Sequence, residues 1–236
     1  EQYRTHYANP GSAHADGRQA RRVLEDAREQ LASLLGAHPQ EVIFTSGGTE
    51  SINLAIQGFL SGSPGEIVLP AGEHPATLNT IRRLAPRGMK QIQLPLDAGG
   101  RIQTEGLLEQ NWEHVQLATA ILAHNETGVI QDIAPLVEAC QKHHIPLHLD
   151  CVQAIGKIPF HFHDSGATAV SLAAHKFHGP RGVGALIVKQ GARLLPQIAG
   201  GHQERGKRAG TEPVALAAGM AQALATAVRE QEQRSS

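Results

Sequence analysis

The chain has 236 residues, 41% of them hydrophobic but only 3% aromatic, so its core must rest mainly on Leu, Ile, Val and Ala. Its 21 basic and 22 acidic side chains leave a net charge of -1, which gives no electrostatic footprint for nucleic acid or an anionic membrane. No apolar run reaches membrane-spanning length, and two cysteines are too few for a disulfide framework, which points to a reducing cytoplasm.

The first residue is Glu1 rather than Met, no signal peptide is visible, and the expectation is a piece of a longer protein. The elements then follow in order. Apolar residues from Gly17 to Gly36 recur at helical spacing (Ala20, Val23, Leu24, Ala27, Leu31, Leu34, Leu35), and Gly36 reads as the stop. "EVIF" (Glu41–Phe44) predicts a strand, and "GGTESINLAIQGFL" a glycine turn and a helix. "EIVLP" (Glu66–Pro70) is the next strand, Ala76–Leu84 the next helix, and "QIQLP" (Gln91–Pro95) alternates like a strand. "VQLATAILA" (Val115–Ala123) is a longer strand. A helix over Pro135–Lys142 precedes the strand "IPLHLD" (Ile145–Asp150). "ATAVSLAA" (Ala167–Ala174) and "GVGALIV" (Gly182–Val188) are the last strands. An alanine-rich helix runs from about Pro213 to Glu230, and the polar tail "REQEQRSS" is expected to fray.

Strands alternating with helices imply an α/β fold with a largely parallel central sheet, whose ligands sit at the carboxyl ends of the strands. The polar residues just after the strands are Gly47, Gly48 and Thr49, then His74, Asn125, Asp150 with Gln153, and His175 with Lys176. "TSGGTES" offers backbone N–H groups and a hydroxyl at a helix start, which suits a phosphate, though alone it is only a glycine-rich turn. A strand-end aspartate such as Asp150 can cap a loop or pair with a cationic ring nitrogen. A strand-end lysine such as Lys176 can snorkel to water or form a Schiff base. A phosphate cradle, an acid and a lysine together describe a pyridoxal phosphate site.

Long motifs carry a resemblance: "NPGSAHADGRQA", "EVIFTSGGTESINLAIQG", "GEHPATLNT", "HNETGVIQDI", "HLDCVQAIGK", "AAHKFHGPRGVGALIV" and "GGHQERGKRAGTEP". In these segments, spread over nearly the whole chain, the sequence resembles the class V aminotransferases and, within them, the cysteine desulfurases. The resemblance implies the large cofactor domain of a fold type I enzyme, a three-layer sandwich spanning residues 1–236, with pyridoxal 5'-phosphate as cofactor. Lys176 would hold the cofactor in Schiff-base linkage, and Asp150 would pair with its ring nitrogen. His74 would stack on the ring and assist proton transfer, while Gln153 and Asn125 would lie near the phenolic oxygen. Gly48, Thr49 and His175 would hold the phosphate, and Thr211 would reach the phosphate of a neighbouring subunit in a homodimer. The implied reaction converts L-cysteine to L-alanine, with the sulfur passed as an enzyme persulfide to an acceptor or scaffold protein for iron–sulfur cluster or thio-cofactor assembly.

The chain also departs from the family pattern. Ala173 stands where a serine hydroxyl commonly binds phosphate, and "RAGT" (Arg208–Thr211) replaces the usual "RSGT". The family's amino-terminal segment and its carboxyl-terminal domain, with the nucleophilic cysteine and a carboxylate-gripping arginine, have no counterpart, so these residues alone are expected to be inactive. Cys140 reads as a buried helix thiol, and Cys151 as packing near the cofactor. Another class V enzyme (an aminotransferase or selenocysteine lyase) and a non-catalytic scaffold are the alternatives. The histidines of "HHIPLH" (His143–His148) and "HFH" (His161–His163) lack standard metal-ligand spacing. His161 and His163 read as sharing one strand face, and no metal is expected.

Overall fold

The computed structural model describes residues 7–60 and 62–234. Its strands are β1 (Val42–Thr45), β2 (Gly65–Pro70), β3 (Met89–Leu94), β4 (Val115–Ile121), β5 (Leu147–Asp150), β6 (Ala169–Ala173) and β7 (Gly184–Val188). Its α-helices are α1 (Ala15–Leu35), α2 (Gly48–Phe59), α3 (Pro75–Leu84), α4 (Thr104–Glu109), α5 (Ala134–Lys142) and α6 (Val214–Arg234). The strands form one sheet in the order β1-β7-β6-β5-β4-β2-β3. All run in one direction except β7, which is antiparallel to both β1 and β6. The reason is the short connection over residues 174–183: a parallel return needs a crossover of a dozen residues or more.

Alternation along the strands sends side chains to two separate cores. Val42, Phe44, Leu147, Leu149, Val170, Leu172, Ala185 and Ile187 face α1, α4, α5 and α6. On the opposite face, Ile67, Leu69 and Leu117 pack with Ile52 and Ile56 of α2 and Ile81 and Leu84 of α3. There too, Ile43, Ala169, Leu186 and Val188 pack against Leu54 and Ala55 of α2. Each Val, Leu, Ile or Phe among these, fully buried, contributes about 1.5–3 kcal/mol. The result is the expected three-layer α/β sandwich, with loops at the carboxyl ends of the parallel strands free to build a site.

Helix α1 shows how local sequence sets these boundaries. His14 Nδ1 accepts the Gly17 N–H at 3.2 Å and caps the first turn. Gly36 ends the helix at φ 62°, a left-handed conformation that favours glycine, with the His161 ring lying against it.

Several sequence expectations need adjustment. α4 is a short additional helix, β4 stops at Ile121 and α6 continues to Arg234. Ser235 and Ser236, at the end of the tail expected to fray, lie outside the described residues. His161 and His163 do not share a strand face. Ser165 donates its N–H to His161 O and its hydroxyl to Phe162 O, and Gly166 follows at φ 69°. These local bonds coil His163–Ser165 into a 3-10 turn instead of a strand. Lys176, expected at a strand end, sits one step further on, in the 3-10 turn Ala174–Phe177 that follows β6.

Candidate active site

Asp150 closes β5 and is only 5% exposed. Its Oδ1 accepts the Val152 N–H at 3.0 Å; Oδ2 has no hydrogen bond from any described residue. Burial raises the Asp150 pKa, against the opposing pull of the Val152 N–H and of the neighbouring His74 and Lys176 side chains. A carboxylate in this position gains from a cationic donor brought into the cleft. Two residues earlier on the same strand face, His148 accepts or donates at both ring nitrogens. Nδ1 meets Thr119 Oγ1 and Nε2 meets Ser171 Oγ, both at 2.8 Å. Burial holds the His148 pKa at about 3, so the ring is neutral. This polar line ties β4, β5 and β6 together just below the strand ends that carry the site.

Lys176 follows β6 on its 3-10 turn, half-buried, and makes no hydrogen bond or ion pair with a described residue. Ala173 and Ala174 before it are fully buried, and their small side chains let the turn sit flat on the sheet. Its neighbour His175 is exposed; partial burial, then the charges of Lys176 and Arg181, lower its pKa. His74 is the N-cap of α3, with Pro75 at the first helical position. Its Nδ1 accepts the Ala76 N–H at 3.0 Å, so the neutral ring carries its proton on Nε2.

Gln153 is half-buried, and its Oε1 accepts a hydrogen bond from Lys157 Nζ. His74, Asn125, Asp150, Gln153 and Lys176 line one cleft, together with Ile121, Ala123 and Val152. Five of the residues singled out in the sequence thus converge from the ends of β2, β4, β5 and β6. Gly48, Thr49, His175 and Thr211 do not line it. Gly48 nevertheless abuts its wall: a Cβ there would lie 2.8 Å from Val152 Cγ2. The open amino terminus of α2, whose N-cap Gly47 offers no side chain, is thereby brought beside the cleft. Thr211 is exposed, on a segment tied to α2 by Arg208, whose guanidinium donates to both Glu50 oxygens at 2.8 and 3.2 Å.

Two residues of this region were not singled out from the sequence. Glu73, just before His74, accepts the Ile121 N–H at 2.7 Å through Oε1, while its buried Oε2 has no partner. Burial drives its pKa well up, and the Asp150 charge adds to the shift. Its signal was an acid placed between a strand end and a helix cap. Lys157 was legible only as the residue four positions after Gln153, the spacing at which side chains meet on one helical turn. Cys140 and Cys151 are free and buried. Burial pushes Cys140 up to about 12, and burial together with the Asp150 charge pushes Cys151 well above the ordinary thiol value. Among the described residues no three His, Cys, Asp or Glu side chains are grouped to hold a metal ion, and no helix is long and apolar enough to cross a membrane.

The chain is similar to known proteins along nearly its whole length. It is 40% identical over 227 residues to "Cysteine desulfurase IscS" of Dictyoglomus turgidum, an alignment covering 95% of this chain and 58% of that one. It is 42% identical over 236 residues to "IscS-like cysteine desulfurase" of Mycobacterium tuberculosis, covering 96% and 60%. The chain therefore spans about three-fifths of the length of these relatives. Among solved structures, one titled "NIFS-LIKE PROTEIN" superposes with a TM-score of 0.94 at 38% identity, over 98% of this chain and 65% of that one. Another, "SspA in complex with cysteine", gives 0.91 at 35%, over 95% and 67%. The family described as "Aminotransferase class-V" matches residues 1–234. A sheet of this order, a cleft built at its parallel strand ends and this match along the chain give one conclusion: the chain belongs to the class-V aminotransferase family.

Proposed function

We propose that this chain is the cofactor-bearing domain of a pyridoxal phosphate-dependent cysteine desulfurase. The observation that carries the reading is the convergence of Asp150, His74, Gln153 and Lys176 on one cleft. The donor set fits the group. Asp150 presents a buried, half-satisfied carboxylate suited to a protonated ring nitrogen. Lys176 presents an amine with no described partner, suited to an aldehyde. The bare amino terminus of α2, with no room for a Cβ at Gly48, suits a phosphate. Bound there, pyridoxal phosphate supplies an electron sink for the substrate's α-carbon.

The protein's own groups have separable tasks. Asp150 holds a proton on the ring nitrogen by charge. His74 is held by its helix cap with the proton on Nε2, so in this tautomer it presents a hydrogen-bond donor to the ligand. Gly48, Thr49 and His175 orient the phosphate, Asn125 borders the substrate side, and Thr211 serves the phosphate site of a second copy in a homodimer. The substrate is L-cysteine, and its sulfur leaves to a thiolate and then to an acceptor protein in the cytoplasm. Neither Cys140 nor Cys151 is that thiolate, because a nucleophilic thiol must be exposed and ionisable and both are buried with raised pKa.

The test has two parts. Purified protein is incubated with pyridoxal phosphate, reduced with borohydride and mapped; the label is expected on Lys176, and a label on Lys157 or Lys189 would reject the assignment. The same protein is then given L-cysteine and a thiol reductant. The 236 residues alone are expected to release neither alanine nor sulfide catalytically. Many turnovers abolished by Lys176→Ala would show that one of the two buried cysteines does act.

A further inference from the structure

We propose that Lys157 is a positioning residue that holds the Gln153 carboxamide by its oxygen and thereby turns the Gln153 Nε2–H groups toward the cleft. A glutamine amide is nearly symmetric in shape, and a half-turn exchanges two donors for one acceptor. Nothing in Gln153 itself selects the face it shows a ligand. Lys157 does, because an ammonium has three donors and no acceptor. Its Nζ donates to Gln153 Oε1, and Nε2 has no partner among the described residues.

The backbone holds both side chains in place. Residues 151–158 are wound by the bonds Ala154 N–H to Cys151 O, Ile155 N–H to Cys151 O, Lys157 N–H to Ala154 O and Ile158 N–H to Ala154 O. Ala154, Ile155 and Gly156 are buried beneath this turn. Gly156 adopts φ 78°, and a Cβ there would lie 2.8 Å from Phe177 Cβ, the residue after Lys176. The turn bearing Gln153 and Lys157 is thus seated on the turn bearing Lys176. The two lysines are close enough that the Lys176 charge, after burial, lowers the Lys157 pKa.

The consequence is a matched pair of polarities. Asp150 offers an acceptor to the ligand, and Gln153, held by Lys157, offers donors. A ligand that is cationic at one place and carries an anionic oxygen at another satisfies both. The inference rests on the pyridoxal phosphate reading above, in which the anionic oxygen is the phenolic one. Without Lys157 the amide is free to turn its carbonyl toward that oxygen.

The test compares pyridoxal phosphate with its 3-deoxy analogue, which lacks the phenolic oxygen, by equilibrium dialysis against wild type, Lys157→Met and Lys157→Arg. Methionine keeps an apolar stem and removes the donor; arginine keeps a side chain that only donates. Loss of one such hydrogen-bond orientation should weaken pyridoxal phosphate about threefold to tenfold in Lys157→Met. The deoxy analogue should bind Lys157→Met and wild type alike, and Lys157→Arg should bind pyridoxal phosphate within about twofold of wild type. Both compounds carry the phosphate, so equal weakening of both would mean that Lys157 acts by general charge and would overturn the positioning role. Unchanged binding of pyridoxal phosphate to Lys157→Met would overturn it too. Wild type that binds neither compound would overturn the cofactor reading itself, a different failure from the first two.

Discussion

Four buried carboxylates divide the molecule into two regions with opposite electrostatics. Glu41 and Glu204 lie beside β1 and are 2% and 3% exposed; Glu73 and Asp150 lie at the ends of β2 and β5 and are both 5% exposed. Burial is equal, so partners decide. Glu204 accepts both arms of the Arg28 guanidinium at 2.8 and 2.9 Å and the Phe44 N–H at 3.0 Å. Glu41 accepts from the His38 and Gln190 N–H groups and from His163 Nε2. Burial alone would raise the Glu41 pKa, but these bonds carry it below the ordinary value. Glu73 and Asp150 each take one backbone N–H, and burial carries both upward. The β1 region spends its polar groups on the fold, whereas the cleft leaves them for something else. Such upward-shifted carboxylates, one lining the cleft and one beside it, are the pattern expected of a functional site, and they support the reading proposed above.

The largest test of this contrast is Arg28→Met. The change leaves the buried Glu204 charge with the Phe44 N–H as its one hydrogen bond beside the neighbouring charges of Arg205 and Arg208, and losing one partner of a buried pair costs up to about 3–5 kcal/mol. Arg28 also donates to Val42 O at 2.8 Å, and Glu204 and Arg205 sit at φ 46° and 55°, a conformation that bulky residues hold only under external constraint. Urea unfolding should show a loss of this size. A loss below about 1 kcal/mol would remove the distinction between the regions.

Asp150→Asn should move stability the other way. Asparagine keeps an acceptor for the Val152 N–H and removes a charge that burial disfavours. The cofactor-free protein should gain about 0.5–2 kcal/mol, as substitutions at strained active sites often do. Pyridoxal phosphate binding should weaken about tenfold or more, as expected when a charge-assisted bond becomes a neutral one. Thermal unfolding and dialysis on the same samples check both halves. A protein destabilised by Asp150→Asn would place Asp150 with the structural carboxylates.

The two regions were not equally legible from the sequence. Every strand is legible as an apolar run, and Asp150, Gln153 and Lys176 stand out as polar residues just after strands, because strand ends and ligand positions coincide in parallel sheets; the role expected of Gln153 comes only from the family resemblance. The Arg28–Glu204 pair spans 176 residues and carries no local pattern, so only the fold reveals it. The Glu73 contact carries no local signal for a similar reason: its partner is the Ile121 N–H at the end of another strand. The antiparallel β7 was hidden in a short Gly-Pro connection. The strand proposed through His161 and His163 failed because side-chain-to-backbone bonds of Ser165 outcompete extended structure there.

The smallest effect is a slope with pH, and it has opposite signs in the two regions. Glu73 has a folded-state pKa raised well above its unfolded value, so between the two the native state binds more protons than the unfolded chain. Its contribution to stability is fully present below the unfolded carboxylate value, about 4.3, and is lost as pH rises toward the folded value. Glu41 has a lowered folded pKa, so its contribution is present above the unfolded value and is lost as pH falls through the folded one. Glu73→Gln keeps the oxygen that accepts the Ile121 N–H and cannot ionise. It should therefore match wild type near pH 4 and be the more stable of the two at pH 7, where the wild-type carboxyl is driven to ionise against its burial. Gln places an NH2 where Oε2 had no partner, which keeps the gain small. Unfolding midpoints of both proteins across this range give the difference directly. A wild-type curve parallel to that of Glu73→Gln would mean that Glu73 is ionised in the fold and that an unseen cation or solvent group completes its site.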